Sequence, residues 1–134
     1  MTETAAAGLA PYVRQRTILL TSYRRDGTPV GTPVNIAVDG DRAYIRTFGT
    51  AWKAKRMRNN PEVEIRPSTV RGVPTGPPCR ARARLLARGG EEDRRAAECL
   101  ARKHPLLHGV LAPLMHRLRR ERTLHYELRL LPEG

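Results

Sequence analysis

Two Asp-Gly pairs, each lying between runs of alternating apolar residues, constrain the fold of this chain more than any other feature. The runs are 17–23 (TILLTSY), 30–38 (VGTPVNIAV) and 42–48 (RAYIRTF), and the Asp-Gly pairs occupy 26–27 and 39–40. Asp-Gly favours a tight hairpin turn, and an apolar residue at every second position is typical of a strand with one buried face. The sequence therefore predicts three strands that form an antiparallel meander.

Three further runs have strand character, and the segments around them have helix character. The run 79–88 (CRARARLLAR) alternates small residues with arginine, and the run 122–131 (RTLHYELRLL) has leucine or tyrosine at every second position. The third run is 62–67 (EVEIRP), and helices are predicted over 9–15, 51–59, 91–103 and 105–120. About six antiparallel strands with short flanking helices predict a mainly β barrel of the α+β class.

The length of the chain, 134 residues, is typical of one domain. We therefore predict a single domain over 1–134, with an N-terminal segment at 1–15 and a helical insertion at 91–120 before the last strand. The chain begins without an apolar signal-peptide core, it has no apolar run of membrane-spanning length, and its two cysteines are isolated in sequence. These features predict a cytoplasmic protein with reduced thiols.

The chain is strongly basic, with a formal net charge of +12 and 25 lysine and arginine residues. That charge is compatible with anionic small molecules or polyanions as partners. Arginine supplies nearly all of these cations, and the chain is also rich in alanine, glycine and proline. This amino-acid bias is partly a consequence of genome composition, so the high charge is weaker evidence for nucleic-acid binding. The sequence lacks the aromatic signature of RNA-binding domains, a zinc finger and a helix-turn-helix pattern, so nucleic acid is not an expected partner.

The sequence has four histidines, His104, His108, His116 and His125. No acidic residue or cysteine stands near them at the spacing of metal ligands, so no metal site is predicted. We interpret them as ordinary surface or cleft histidines. Axial ligation of a haem is the alternative.

Two basic surfaces also have two interpretations each. Arg80, Arg82 and Arg84 alternate along one predicted strand, where they either face solvent or line a groove for an anionic chain. The apolar and basic stretch 102–122 either covers one end of the barrel or contacts a membrane surface. We favour the solvent-facing strand and the covering helix.

The stretch 47–61 (TFGTAWKAKRMRNNP) predicts a short helix whose cations crowd its positive end. Thr50 is the predicted N-cap, which makes Lys53 the third helical residue, where a cation is unfavourable because of the helix dipole. A bound phosphate reverses that sign, since it accepts hydrogen bonds from first-turn N–H groups, from the hydroxyl of Thr50 or Thr47, and from Lys53. Arg46, on the preceding strand, is predicted to add a guanidinium. The alternative is a solvated basic helix.

Four stretches carry a resemblance to a known family: DGTPVGTPVNIAVDGDRAYIRTF, KAKRMRNNPEVEI, RGVPTGPPCRARARLL and RKHPLLHGVLAPLMHRLRRERTLHYEL. Together they resemble the pyridoxamine 5′-phosphate oxidase-like split β-barrel superfamily, and more narrowly its small actinobacterial enzymes that use the deazaflavin coenzyme F420. The resemblance extends from about Arg16 to Leu130. Its most specific part is the pattern Lys-x-x-Arg-Met-x-x-Asn-Pro after the strands.

This resemblance implies an antiparallel split β-barrel of the FMN-binding type and an oxidoreductase that transfers a hydride between F420 and a small molecule. It also implies a homodimer, because the family holds the cofactor ring in a groove between two subunits. The Lys53 position and nearby strand and turn residues would bind the cofactor phosphate. The candidate cofactor-binding residues are Asn35, Arg46, Thr47, Thr50, Trp52, Lys53 and Arg56, and no catalytic residue is identified.

The chain also departs from the flavin-binding oxidases. Ala51 and Trp52 stand where those enzymes have Ser-Arg, and the chain lacks the C-terminal segments that hold pyridoxal phosphate. These departures favour F420 over FMN as the cofactor. The alternatives are an FMN-binding oxidoreductase of the same superfamily and a non-enzymatic binder of a cofactor, a tetrapyrrole or nucleic acid.

Overall fold

The computed structural model describes residues 2–48, 51–105 and 123–132, and most of them lie in one curved antiparallel sheet. The elements are α1 (Thr2–Val13), β1 (Thr17–Tyr23), β2 (Pro29–Asn35), β3 (Ala37–Asp39), β4 (Arg42–Phe48), α2 (Trp52–Asn59), β5 (Glu62–Pro67), β6 (Cys79–Leu85), α3 (Glu91–Lys103) and β7 (Thr123–Leu130). The predicted mainly β split barrel is confirmed. Most of the helix predicted over 105–120 lies outside the described residues. No helix in the described part of the chain is long and apolar enough to cross a membrane.

Both Asp-Gly pairs form the hairpin turns that the sequence predicts. Gly27 and Gly40 have φ of 90° and 64°, in the left-handed region that glycine adopts readily. In the first turn, Gly27 N–H donates to the Arg24 carbonyl oxygen over 2.9 Å. The second turn joins β3 to β4, with Asp39 directly opposite Arg42.

The predicted strand over 30–38 is two strands, which raises the count from about six to seven. The break occurs at Ile36, whose side chain is fully buried and whose backbone N–H donates to the Arg16 carbonyl oxygen over 3.2 Å. Before the break, Asn35 pairs with Thr17 of β1; after it, Ala37 pairs with Tyr44 of β4.

The strand order β2-β1-β5-β6-β7-β4-β3 places β2 and β3 at opposite edges of the sheet. Because Ile36 joins these two strands directly, the edges must come together, and the sheet closes into a barrel with an unpaired split. The predicted continuous meander of three strands is therefore wrong: two separate hairpins lie at the two sides of the split.

The barrel interior is mainly aliphatic, as the small number of aromatic residues predicts. The buried cluster includes Ile18, Leu20, Ile45, Ile65 and Leu128, with Met57 of α2 packed against them. A second, smaller cluster lies on the outer face, where Leu100 of α3 packs with Tyr44 and Leu86. Successive residues of β4 therefore face α2 and the barrel interior, or α3 and the outer surface.

Helix α2 contacts β1 and β4, the second and sixth strands of the seven-strand order. It thus lies beside the split and is held there by the buried side chains of Ala54 and Met57. The segment with the crowded cations therefore lies beside the split, and its first helical residue comes four positions after Phe48, the last residue of β4.

Candidate functional site

Within the described residues, the positive charge of the first turn of α2 has no compensating group. The helix begins at Trp52 with Ala51 as N-cap, no described side chain caps it, and no acidic residue lies in its first turn. The prediction of Thr50 as N-cap is therefore wrong by one position, because the helical conformation starts one residue later; Thr50 itself lies outside the described residues. Lys53 is consequently the second helical residue. The first N–H groups of a helix have no intrahelical acceptor, and the helix dipole is positive at this end.

Thr47, near the end of β4, has a side-chain oxygen with no hydrogen-bond partner. The residue is 3% exposed, and its Oγ1 is the buried unpaired side-chain atom of the described residues. Two and four positions earlier, Ile45 and Ala43 belong to the interior cluster that also includes Met57 of α2. Thr47 therefore shares the face of β4 that α2 covers. An unpaired buried hydroxyl costs about 1–3 kcal/mol, so a ligand that accepts its hydrogen is favoured there.

The Lys53 side chain is half-buried and makes no hydrogen bond or ion pair with the described part of the chain. Burial lowers the pKa of Lys53, and the neighbouring charge of Arg56 lowers it further. Both effects destabilise the charged ammonium form of Lys53 in the folded chain. An anion bound beside Lys53 would stabilise that form again.

Arg56 and Trp52 extend the site along α2. The Arg56 Nε donates to the Oγ of the fully buried Ser22 in β1 over 2.6 Å. Trp52 is 72% exposed, and the Nζ of Lys55 lies 4.5 Å from its ring centroid. Of the predicted residues, the structure thus brings Thr47, Trp52, Lys53 and Arg56 to the split beside α2. Ser22 was missed, because a serine in an apolar strand carries no sequence signal of its own.

Arg46 lies on the other face of β4 from Thr47, because adjacent strand residues face opposite sides. Its Nε donates to Nε2 of His125, directly opposite on β7, over 3.1 Å. The Nδ1 of His125 lies 2.7 Å from Oδ1 of Asp93 in α3. Arg46 thus belongs to an Asp93–His125–Arg46 chain under α3, in which His125 is buried and the other two residues are partly buried. The structure does not bring Arg46 to the side of β4 that Thr47 occupies, and its contact with a cofactor stays a prediction.

Asn35 lies at the far end of β1 from the Arg56 contact. It pairs with Thr17, five residues before Ser22, a distance of about 16 Å along the strand. Its Nδ2 is 3.4 Å from Nδ1 of His104, and both residues line a cleft of about 580 Å³. The structure therefore separates Asn35 from the α2 residues within one chain.

The two described histidines are buried, with exposures of 7% for His104 and 5% for His125. The Nε2 of His104 is 3.0 Å from the Ile36 carbonyl oxygen. Burial lowers the pKa of His104, although this hydrogen bond raises it in part. The interpretation of these two as ordinary surface or cleft histidines is wrong for His125, which lies between β7 and α3. His108 and His116 lie outside the described residues.

Glu127, also on β7, is a second buried polar residue that the sequence pattern missed. Its carboxylate accepts hydrogen bonds from Arg42, Arg84 and Arg129 over 3.0–3.2 Å. Burial raises the pKa of Glu127, but the hydrogen bonds and charges of Arg84 and Arg129 outweigh that effect, so the net pKa is lowered. The exposed Arg84 also pairs with Glu92 of α3, so this cluster fastens α3 to the outer face of the sheet.

The lowered pKa of Glu127 predicts acid sensitivity. A carboxylate whose pKa is lower in the folded state stabilises the fold above its unfolded pKa, near pH 4.3, and this contribution is lost as pH falls through the folded pKa. We expect Glu127→Gln to cost about 1–3 kcal/mol at pH 7 and to flatten the loss of stability below about pH 4.3. Urea denaturation across pH 3–7 measures both effects. Glu98→Gln, on the exposed side of α3, is the control; an equal loss in the two variants would contradict the assignment.

Comparisons with known proteins agree with this architecture. No protein-family model matches the sequence, and no curated protein matches it. Among solved structures, a Listeria innocua protein provisionally named pyridoxamine 5′-phosphate oxidase is 16% identical with a TM-score of 0.67, covering 96% of this chain and 94% of that chain. HutZ, the haem storage protein of Vibrio cholerae, is 15% identical with a TM-score of 0.68, covering 96% and 89%.

A third similar structure is an FAD-binding protein from Mesorhizobium loti, 14% identical with a TM-score of 0.67, covering 95% of this chain and 88% of that chain. Identities this low establish the fold alone. The likeness nevertheless extends over nearly the whole of each chain, which matches the seven-stranded barrel and its helices. The chain therefore has the split β-barrel fold of the pyridoxamine 5′-phosphate oxidase-like proteins.

Proposed function

We propose that this chain binds the phosphate of a flavin-type cofactor at the start of α2 and acts as an oxidoreductase, with F420 as the preferred cofactor and FMN as the alternative. The observation that carries the proposal is the buried hydroxyl of Thr47 beside the start of α2 and Lys53. In the described part of the chain that hydroxyl and Lys53 have no partner, and no side chain caps the helix. Each of these groups is unfavourable in the chain by itself, and one bound phosphate would satisfy them together.

The roles of the residues follow from their chemistry. Thr47 would donate its hydroxyl hydrogen to a phosphate oxygen, and Lys53 would supply a charge-assisted hydrogen bond. The exposed Trp52 ring, at the first helical position, offers an apolar surface beside the phosphate. The bound cofactor would itself supply hydride transfer to or from an unidentified small molecule. Following the family resemblance, we place the ring in a groove shared by two copies of the chain.

Haem binding is the competing function, because one structure of the same fold is a haem storage protein. A haem ligand needs a ring nitrogen free to bind iron. Both nitrogens of His104 lie within hydrogen-bond distance of Asn35 or Ile36, and both nitrogens of His125 lie near Arg46 or Asp93. Ligation by either histidine would break one of these contacts. We therefore favour the flavin-type cofactor.

The direct test is calorimetric titration of the purified chain with F420, FMN and haem, followed by assays of reduced F420 with a panel of electron acceptors. We expect F420 to bind more tightly than FMN and an acceptor to oxidise the reduced form. Binding of haem alone would favour the storage function, and no binding by any of the three would contradict the proposal.

Thr47→Val separates the proposed ligand role of this hydroxyl from a structural one. Valine keeps the shape and removes the unpaired polar group, so the ligand-free protein should gain about 1 kcal/mol of stability. Cofactor affinity should fall about tenfold or more, since a hydrogen bond to an ionised phosphate oxygen, worth about 1.5–3 kcal/mol, is lost. Thermal unfolding and calorimetry measure the two effects. Thr32→Val, at a half-buried position in β2, should show neither; a stabilised variant with unchanged affinity would rule out Thr47 as a ligand group.

A further inference from the structure

A second group of cations lies next to the proposed phosphate position. The Arg56 guanidinium is fixed through its Nε, which donates to the fully buried Ser22 hydroxyl over 2.6 Å. Its two terminal NH₂ groups have no partner in the described part of the chain. A guanidinium held at Nε with both terminal nitrogens free is positioned to bind a carboxylate or phosphate.

Three cations follow one another on this side of the molecule. Lys53 and Arg56 are three positions apart, hence neighbours on one side of α2. Arg24 leaves β1 two residues after Ser22, the residue that holds Arg56. These cations repel one another. Burial is the main cause of the lowered pKa of Lys53 and of Arg56, and the charge of Arg56 lowers the pKa of Lys53 further, as the charge of Arg24 does that of Arg56.

Little negative charge offsets this row within the described residues. Neither Lys53 nor Arg56 pairs with a carboxylate there, and the acid that Arg24 affects is Asp26, fully exposed in the hairpin turn. Arg58 makes a useful contrast. It lies on the opposite side of the buried Ala54–Met57 stripe, where its charge reaches Tyr126 instead.

We infer that the natural ligand carries two anionic groups, and that the second binds the terminal nitrogens of Arg56 on the side toward Arg24. This inference rests on the proposed function, which places the first anionic group, a phosphate, at Thr47 and Lys53. One phosphate would neutralise the helix start but leave the Arg56–Arg24 pair uncompensated. A second anionic group, either a carboxylate or another phosphate, would satisfy that pair.

Three available cofactors distinguish these chemistries. FMN ends in a single phosphate, FAD contains two linked phosphates, and F420 combines a phosphodiester with glutamate carboxylates. The inference therefore predicts that Arg56 contributes to affinity for FAD or F420 and hardly at all for FMN. If only the affinity for FAD depends on Arg56, the second anionic group is a phosphate. If only the affinity for F420 depends on Arg56, it is a carboxylate.

The test is calorimetric titration of wild type, Arg56→Gln and the control Arg58→Gln with FMN, FAD and F420 at one ionic strength. We expect Arg56→Gln to weaken binding of at least one two-anion cofactor about tenfold and to change FMN binding by less than about twofold. Arg58→Gln should leave all three affinities within about twofold. Arg24→Gln, in the exposed turn, should repeat the Arg56→Gln pattern more weakly, and it replaces that variant if Arg56→Gln does not fold.

Two results would overturn the inference. If Arg56→Gln weakens FMN as much as FAD and F420, Arg56 binds the first phosphate and there is no second position. If it weakens none of the three while Lys53→Ala weakens them all, the second position does not exist although the phosphate site does. A Lys53→Ala variant that binds every cofactor as wild type does would contradict the proposed function itself, which is a separate outcome.

Discussion

Replacing Lys53 with alanine should weaken cofactor binding by roughly ten- to a hundredfold. A charge-assisted hydrogen bond to phosphate is worth about 1.5–3 kcal/mol, and this lysine has no other partner in the described part of the chain. The ligand-free fold should be unchanged or slightly more stable, because the change removes a half-buried cation from the positive end of α2 and from beside Arg56. Titration with F420 and FMN, together with thermal unfolding of the free protein, measures both expectations.

Arg58→Ala is the matched control for this experiment. It removes a cation from the same helix, but on the side that faces Tyr126. We expect its cofactor affinity to stay close to that of wild type. Equal losses in the two variants would mean that α2 attracts anions only through its overall charge, as a solvated basic helix would.

Truncating Leu128 should produce the largest loss of stability, about 2–5 kcal/mol. This side chain is fully buried on β7, with Ala43 of β4 opposite it on one side and Ala83 of β6 opposite it on the other. Two small neighbours cannot fill the space that Leu128→Ala would leave, so the cavity term should be large. Urea denaturation measures the effect.

Leu85→Ala makes the same chemical change at a position on β6 that is 51% exposed. Its cost should stay within about 0.5 kcal/mol. A Leu128→Ala cost below about 1 kcal/mol would contradict the packing of β7 between β6 and β4, since no adjustment of two alanine side chains could fill the space of the three heavy atoms that are removed.

The features that the sequence predicts well are local ones. The Asp-Gly turns depend on backbone conformations that glycine adopts readily, and period-2 alternation identifies the inner face of β7 through Leu124, Tyr126 and Leu128. The break at Ile36 is different in kind. Nothing between Val30 and Val38 marks it, because it results from a hydrogen bond to Arg16 and from burial at the closure of the barrel.

The buried polar residues of the outer face show the same limit. Alternation alone predicts that His125 and Glu127 face water, since they occupy the polar positions of β7. Helix α3 covers them instead, and Asp93 in its first turn is 2.7 Å from His125. The sequence shows the acidic residues in the first turn of α3. Their favourable interaction with the helix dipole already explains why they are there, so the sequence gives no reason to expect a further contact. Only the packing of α3 on the sheet reveals its contact with His125.

The candidate site was accessible from the sequence only in part. Thr47 and Lys53 lie close in sequence, so one local pattern contains both. The sequence pattern did not show that Arg46 faces the other side of β4 from Thr47, because that depends on its strand position, nor that the length of β1 separates Asn35 from α2. Cofactor binding by these two residues stays a prediction. Thr50 stays a prediction outside the described residues.

The position of Trp52 gives this protein an intrinsic optical signal. It is the single tryptophan of the chain, it stands at the first residue of α2, and 72% of it is exposed, with Lys55 above its ring. All tryptophan fluorescence of a folded molecule therefore originates beside the proposed phosphate position, in a polar environment that any nearby ligand would alter. Occupancy of that position can be followed in unlabelled protein, without a background signal from a second indole elsewhere in the barrel.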